Sequence, residues 1–294
     1  MNMISEIKIS ELMIGEGKPD VEILLGPVSM KVDQDISEYP NYQLSKSKFK
    51  FDVKNVAKYC VNNGNCITVE PHKNADMETI KAYLMGTGMG VLLIQREITA
   101  LHGSSIDMNG HTVIFTGECG AGKSTLSSAL RKKGYGILAD DISVVTFSDE
   151  HIPVVQPAFP QQRLCRDTAE RLGYDISTLS LACMGEDKLV VNTSDSFRTN
   201  ALPLKAIIEI RAEKTESAKL IKITGIDRIR YIKRNIYCIL LYEEIGLSLG
   251  YIQQYINLAK NVKVYSLIRP EGKFTIDEQV QLVVNAVSDQ CWSL

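Results

Sequence analysis

The chain has 294 residues, 45% apolar and 23% charged, with a formal net charge of −2. That length allows one large domain or two modest ones, each able to bury a core, and the near-neutral charge excludes whole-surface attraction to nucleic acid or membrane. Affinity for an anionic ligand therefore has to come from a local site. The seven cysteines are odd in number and contain no C-x-x-C pair. This argues against a disulfide scaffold or a zinc site and fits reduced thiols in a cytoplasmic protein. Acidic residues interrupt the N-terminal stretch MNMISEIKISELMIGEGKPD where a signal peptide needs a continuous apolar run. No segment reaches the ~18 apolar residues of a membrane span.

Residues 1 to 75 read as short strands and turns: VEILLGPVSM and NCITVE are strand-like, while Gly26-Pro27 and residues 62–65 are turn-like. Asp76 is placed to cap a helix beginning METIKAYLM and running towards Gln95. A change of texture then suggests two regions, a strand-rich one over 1–97 ending in a helix and a catalytic one over 98–294. In the second, His102 precedes Gly103-Ser104-Ser105; a lone histidine is more often structural than catalytic. Asn109-Gly110 is a hairpin signal before the β-branched strand His111 to Thr116.

Gly117-Glu118-Cys119-Gly120-Ala121-Gly122-Lys123-Ser124, followed by Thr125, satisfies G-x-x-x-x-G-K-[ST]. Glycines let the backbone curl so that successive N–H groups point at a phosphate, and the helix after them adds its N-terminal donors. Lys123 can reach β- and γ-phosphate oxygens, and Ser124 can offer its hydroxyl to Mg²⁺. Cys119 reads as a small space-filler. The helix expected over Lys123 to Lys133 has Gly134 just beyond it. YGILADDISVV then reads as a second strand, and a parallel strand beside the P-loop strand would bring Asp140 and Asp141 to the phosphates. One carboxylate can serve Mg²⁺ and the other can accept a proton from a hydroxyl.

A proline-rich passage, a helix RDTAERLGY and a polar stretch from Gly185 to Asn200 come next; the last is either a mobile substrate-side loop or simply a loop. From the strand AIIEI onward, nine Lys or Arg stand against four Asp or Glu between Lys205 and Arg234, an excess of five that sits mostly in RIRYIKRN. A solvated helix face explains this most simply. The alternative has Arg228, Arg230 or Arg234 meeting a phosphate or a peptide carboxylate, with Arg234 the first choice and Arg163 a further candidate. IDRIRYIKRNIYCILLYEE, LGYIQQYINLAK and IDEQVQLVVNAV read as helices, and VKVYSLI as a strand.

The segment LHGSSIDMNGHTVIFTGECGAGKSTLSSALRKKGYGILADDISVV resembles the catalytic core of the HPr serine kinase/phosphorylase superfamily. In that superfamily a His-Gly lies upstream of a P-loop strand and an Ala-Asp-Asp ends the next core strand. AFPQQRL, PLKAIIEI and VKVYSLIRP resemble the family's shorter relatives more weakly, and residues 1–75 match nothing nameable. The resemblance implies an α/β fold: a P-loop HPr-kinase-like core with a mixed sheet and flanking helices, beside the strand-rich N-terminal region. By position it implies Asp140 as the base, His102 as its support, Lys123 as phosphate clamp, Ser124 as Mg²⁺ ligand and Asp141 as a second metal or orienting group.

Thr125 stands where the family commonly has Glu. The acidic signature segment of the full HPr enzymes has no clear counterpart after Pro160, nor does their phosphorylase loop. The nearer similarity is to compact homologues of peptide natural-product clusters, which phosphorylate a serine of a lasso-peptide precursor. The resemblance thereby implies an ATP- and Mg²⁺-dependent serine kinase acting on a peptide or protein, with no nucleic-acid or membrane partner and with homo-oligomer formation left open. An HPr-type protein kinase, a small-molecule or phosphoenolpyruvate-carboxykinase-like enzyme, and a nucleotide-dependent switch without transfer are the competing expectations.

Overall fold

The computed structural model describes residues 1–9, 17–31, 37–38, 41–183 and 187–288. Cys291 and Gly185 lie outside them. The chain forms two compact units: Met1–Ile98 with Leu181–Asp187 and Leu240–Ser248, and Thr99–Ser180 with Lys188–Ile239 and Leu249–Leu294.

The first unit holds a seven-stranded sheet. Its order is Met3–Ser5, Val21–Leu25, Cys66–Pro71, Ala57–Asn62, Lys48–Val53, Tyr42–Leu44 and Ser37–Glu38. The first three strands pair parallel and the rest antiparallel. Alternation puts Phe49, Phe51, Tyr59, Val61, Ile67 and Val69 on the buried face. Phe51 stacks on Tyr59 with ring centroids 4.5 Å apart. The helix Met77–Tyr83 starts where Asp76 accepts the Thr79 N–H at 2.8 Å. It passes through a wide turn at Leu84–Gly88 and resumes over Met89–Gln95. Gly86 and Gly88 fall within the wide turn, which keeps the apolar residues on the core side.

The second unit is built on a mixed sheet. The strand His111–Thr116 lies between Thr99–Met108, antiparallel, and Leu202–Glu213, parallel. Leu202–Glu213 also pairs parallel with Lys263–Pro270, whose other neighbour is the antiparallel Lys219–Ile223. Three parallel strands therefore end at one edge of the sheet, where α/β folds place ligands. The hairpin at Asn109-Gly110 forms with φ values of 59° and 84°, as a two-residue turn demands. The helices Lys123–Lys132 and Ile276–Ser288 pack over a core that includes Phe115, Leu126, Leu130, Ile208, Leu267 and Val280.

Three expected elements differ. The strand over YGILADDISVV is two pieces, Gly136–Ala139 and Ile142–Phe147, and both pair with Thr99–Met108 rather than with the P-loop strand. The helix expected over residues 226–244 breaks into Asp227–Arg234 and Ile239–Ile245. Between them a turn docks on Thr99–Met108 through a single bridge of Ile236 with Leu101: His102 N–H donates to Asn235 O at 2.9 Å and Tyr237 N–H to Ala100 O at 2.9 Å. Edge pairing wins there over helix continuity.

The polar stretch after residue 187 is pinned rather than loose. Lys188–Asn192 pairs with Gln161–Cys165, Arg131 Nε donates to Ser196 Oγ at 2.9 Å, and Arg198 Nε donates to Asp107 Oδ2 at 2.6 Å.

Candidate active site

The loop after Thr116 turns through Gly117, Gly120 and Gly122 at φ values of 134°, 78° and 110°. A Cβ on Gly117 would lie 2.4 Å from Ile210 O, so glycine is required for close approach as well as for conformation. Lys123 is buried, and its Nζ donates to Gly117 O at 2.8 Å and Glu118 O at 3.0 Å. Burial holds its pKa below the usual lysine value, partly opposed by the charges of Asp141, Cys119 and Asp140. Cys119, expected to fill space, is instead exposed on the loop.

The acid pair sits where the bent strand parts from its neighbour. Ala139 is registered against Ser105 and Ile142 against His102, so Asp140 and Asp141 face Ser104 and Gly103. Gly103 N–H donates to Asp141 O at 2.9 Å. A side chain at Gly103 would put Cβ 2.5 Å from Phe115 O in the next strand, which is why His102 is followed by glycine.

The two carboxylates look different ways. Asp140 Oδ1 accepts from Ser104 Oγ and, at 3.2 Å, from Ser124 Oγ; its Oδ2 accepts the Arg163 N–H at 3.0 Å. Burial raises its pKa above the ordinary aspartate value, against the lowering effect of these bonds. Asp141 has φ of 70°, in the left-handed region that aspartate tolerates, and its side chain is 49% exposed. His102 Nε2 lies 3.2 Å from Asp141 Oδ1. Burial alone would raise the Asp141 pKa, but the His102 hydrogen bond and the charges of His102, Arg163 and Lys188 hold it below the ordinary value. The expected support of Asp140 by His102 is thus a pairing of His102 with Asp141. The Tyr237 ring meets the imidazole edge-on at a centroid distance of 6.0 Å.

Arg234 does not face an open anion site with a free fork. Its Nε donates to Glu209 Oε1 at 2.7 Å and its Nη2 to Glu209 Oε2, while the guanidinium lies 3.8 Å from the Tyr231 ring centroid. Asn235 Nδ2 adds a bond to Glu209 Oε1 at 3.0 Å. Arg230 pairs with Asp227 at 3.0 Å on an exposed helix face. Arg163 and Lys188 share the outer face of the hairpin Gln161–Cys165/Lys188–Asn192, opposite the buried Gln162, Leu164, Leu189 and Val191. Gln162 Nε2 in turn holds Ser127 Oγ at 2.7 Å on the P-loop helix.

These residues fit a nucleoside triphosphate with a divalent cation. Glycines at 117, 120 and 122 let the turn curl, Lys123 Nζ lies against its carbonyls, and Ser124 is already joined to a carboxylate in the manner of a hydroxyl shared with a metal. Among the described residues no group of three or more His, Cys, Asp or Glu could hold a metal ion. Among the described residues, too, no helix is long and apolar enough to cross a membrane.

Ser104, Gln162, Glu209 and the Arg163 backbone were not singled out in the sequence. Their only signal there is adjacency: Ser104 two positions beyond His102, and Arg163 inside QQRL.

Fold and site together define an α/β protein with a P-loop phosphate site and an adjacent acid pair. No known protein-family profile matches the chain. It is 40% identical over 80 residues to an HPr kinase/phosphorylase of Azoarcus sp. (strain BH72), covering 27% of this chain and 24% of that protein. It is 26% identical over 173 residues to an HPr kinase/phosphorylase of Clostridium tetani (strain Massachusetts / E88), covering 48% and 55% respectively. The chain thus spans about a quarter to about half the length of these relatives. A solved structure titled HPr(Ser) kinase/phosphatase from Coxiella burnetii overlaps 64% of this chain and 90% of its own, at 16% identity and a TM-score of 0.35, too low to argue from. Over these stretches the chain is similar to proteins named HPr kinase/phosphorylase.

Proposed function

We propose that the second unit is a serine kinase-type phosphotransferase that uses ATP and Mg²⁺ and takes a peptide or protein hydroxyl as acceptor. The observation that carries this is the junction at Ser124 and Asp140, which ties the phosphate loop to the acid pair within one hydrogen bond of 3.2 Å. Bound Mg²⁺ would supply neutralising charge at the phosphate oxygens, with Ser124 and Asp140 the residues to hold it or its water. Lys123 turns its remaining N–H to the phosphates.

Asp141, exposed and oriented by His102, is the better-placed proton acceptor, because Asp140 is turned inward to Ser104, Ser124 and the Arg163 N–H, on the side proposed for Mg²⁺. The acceptor oxygen forms the new P–O bond as the bond between the γ-phosphorus and its bridging oxygen breaks. The hydroxyl proton passes to Asp141, and ADP leaves. A carboxylate of low pKa suffices, because a loose transition state asks it mainly to orient the hydroxyl. A serine of a ribosomal lasso-type precursor peptide is the acceptor that the sequence resemblance favours.

The test is transfer from labelled ATP to serine-containing peptides, with the modified residue read by mass spectrometry. Asp141→Asn is expected to keep nucleotide affinity and lose most turnover, whereas Asp140→Asn is expected to raise the Mg²⁺ requirement. Wild-type turnover in Asp141→Asn would return the base role to Asp140. Tight nucleotide binding without transfer to any serine would instead support a switch.

A further inference from the structure

The P-loop lysine braces only one side of its loop. Lys123 Nζ gives two of its three N–H groups to Gly117 O and Glu118 O, at 2.8 and 3.0 Å, which leaves the third for a phosphate. The Gly120 to Gly122 side of the turn needs a second support.

That second support comes from a strand 148 residues away in sequence. Arg269, near the end of Lys263–Pro270, donates Nε–H to Ala121 O at 2.7 Å and Nη2–H to Gly120 O at 3.1 Å. Its Nη1 donates to Pro270 O at 3.3 Å, which anchors the guanidinium to its own strand. The head lies along the outside of the turn, with Nε 3.6 Å from where a Gly122 Cβ would be.

The geometry sets which way the loop faces. A trans peptide is planar, so its C=O and N–H point in opposite directions. Holding the Ala121 carbonyl on Arg269 therefore directs the Gly122 N–H to the other side of the turn, away from Arg269. Gly122 has φ of 110° and could otherwise swing its flanking peptides at little cost. A guanidinium offers a fixed fork for two neighbouring carbonyls, which an ammonium does not.

We infer that Arg269 is a positioning residue for nucleotide binding: it holds the Gly120 and Ala121 carbonyls outward while Lys123 braces the start of the loop and turns its remaining N–H to phosphate. It acts on the loop and not on the transferred phosphoryl group. Its loss should therefore raise the nucleotide Kd more than it lowers the rate of transfer. The inference rests on the P-loop binding nucleotide, as proposed above.

The experiment titrates the full chain with a fluorescent ATP analogue and Mg²⁺, and separately follows thermal melting without nucleotide. Absence of wild-type binding refutes the P-loop reading itself, and the inference with it. Given wild-type binding, Arg269→Ala should weaken affinity about tenfold or more, the scale of losing two charge-assisted hydrogen bonds. Arg269→Lys should fall between the two at an unchanged melting temperature. Methylguanidinium should restore part of the affinity of Arg269→Ala and none to Lys123→Ala. Wild-type affinity in either folded Arg269 variant overturns the inference. If Arg269→Ala does not fold, Arg269→Lys decides alone: an unchanged Kd overturns the proposal, and a weaker Kd at unchanged melting temperature supports it.

Discussion

The two compact units bury different kinds of side chain. In the first, the described polar groups that are buried are Gln43, Lys50 and Thr79. Each has a nearby structural partner: Gln43 reaches Met30 O at 2.7 Å, Lys50 reaches Lys31 O at 3.0 Å, and Thr79 reaches its helix cap at 2.7 Å. In the second, Ser104, Lys123, Ser127, Gln162, Glu209 and Asn235 are buried, and several of them bond one another's elements around a single loop. Burying polar groups is expensive unless each is satisfied, so this linked set beside the glycine loop is where the unit gives up stability for a polar site. The first unit is organised to be closed, the second to be ready.

The contrast can be broken most sharply at Lys123. Replacement by Ala should lower phosphoryl transfer by about a thousandfold or more while leaving the first unit's melting unchanged, since the lost group meets developing charge on the phosphoryl oxygens. Comparable transfer rates would show that the buried lysine serves only the loop.

Gly103→Ala comes next. Its Cβ would press 2.5 Å from a backbone carbonyl that cannot move without the sheet, so a loss on the order of 2–3 kcal/mol in chemical denaturation is expected, with activity falling in step. Tyr59→Phe in the first unit removes a 3.0 Å bond to Ile80 O and should cost about 1 kcal/mol, with nucleotide affinity untouched. A change in affinity would mean the units are not separable in function.

The smallest effect is a displacement. Asp141 must be ionised to accept a proton, and its pKa is held below the ordinary value, so turnover should fall only as pH drops beneath the usual carboxylate range. His102→Ala removes the strongest of the lowering contacts, and the acidic limb of the pH–rate profile should move upward. An unmoved limb would separate His102 from the proton transfer.

What could be read in advance was what lies close together in the chain. The glycine turn, its lysine and the hairpin at Asn109-Gly110 are local patterns whose geometry is set by a few consecutive residues. The partner of His102 was not of that kind, because it depends on the bend at Asp141 and on which residues of two strands stand opposite. The occupation of Arg234 by Glu209 joins positions 25 residues apart through a sheet edge, and no periodicity reports it. The helix break at residues 235–238 was hidden for the same reason: IYC is as helical as its neighbours until a strand edge competes for its backbone. In the first unit VEILLGPVSM and NCITVE read as strand-like, whereas the parallel joining of Met3–Ser5, Val21–Leu25 and Cys66–Pro71 is set by tertiary packing.

The left-handed backbone at Asp141 has an evolutionary consequence. A residue with a side chain held there sacrifices of order 1 kcal/mol that glycine would keep. Drift under selection for folding alone would replace the aspartate, so descendants that abandon the reaction should lose this carboxylate early, well before the glycine loop beside it decays.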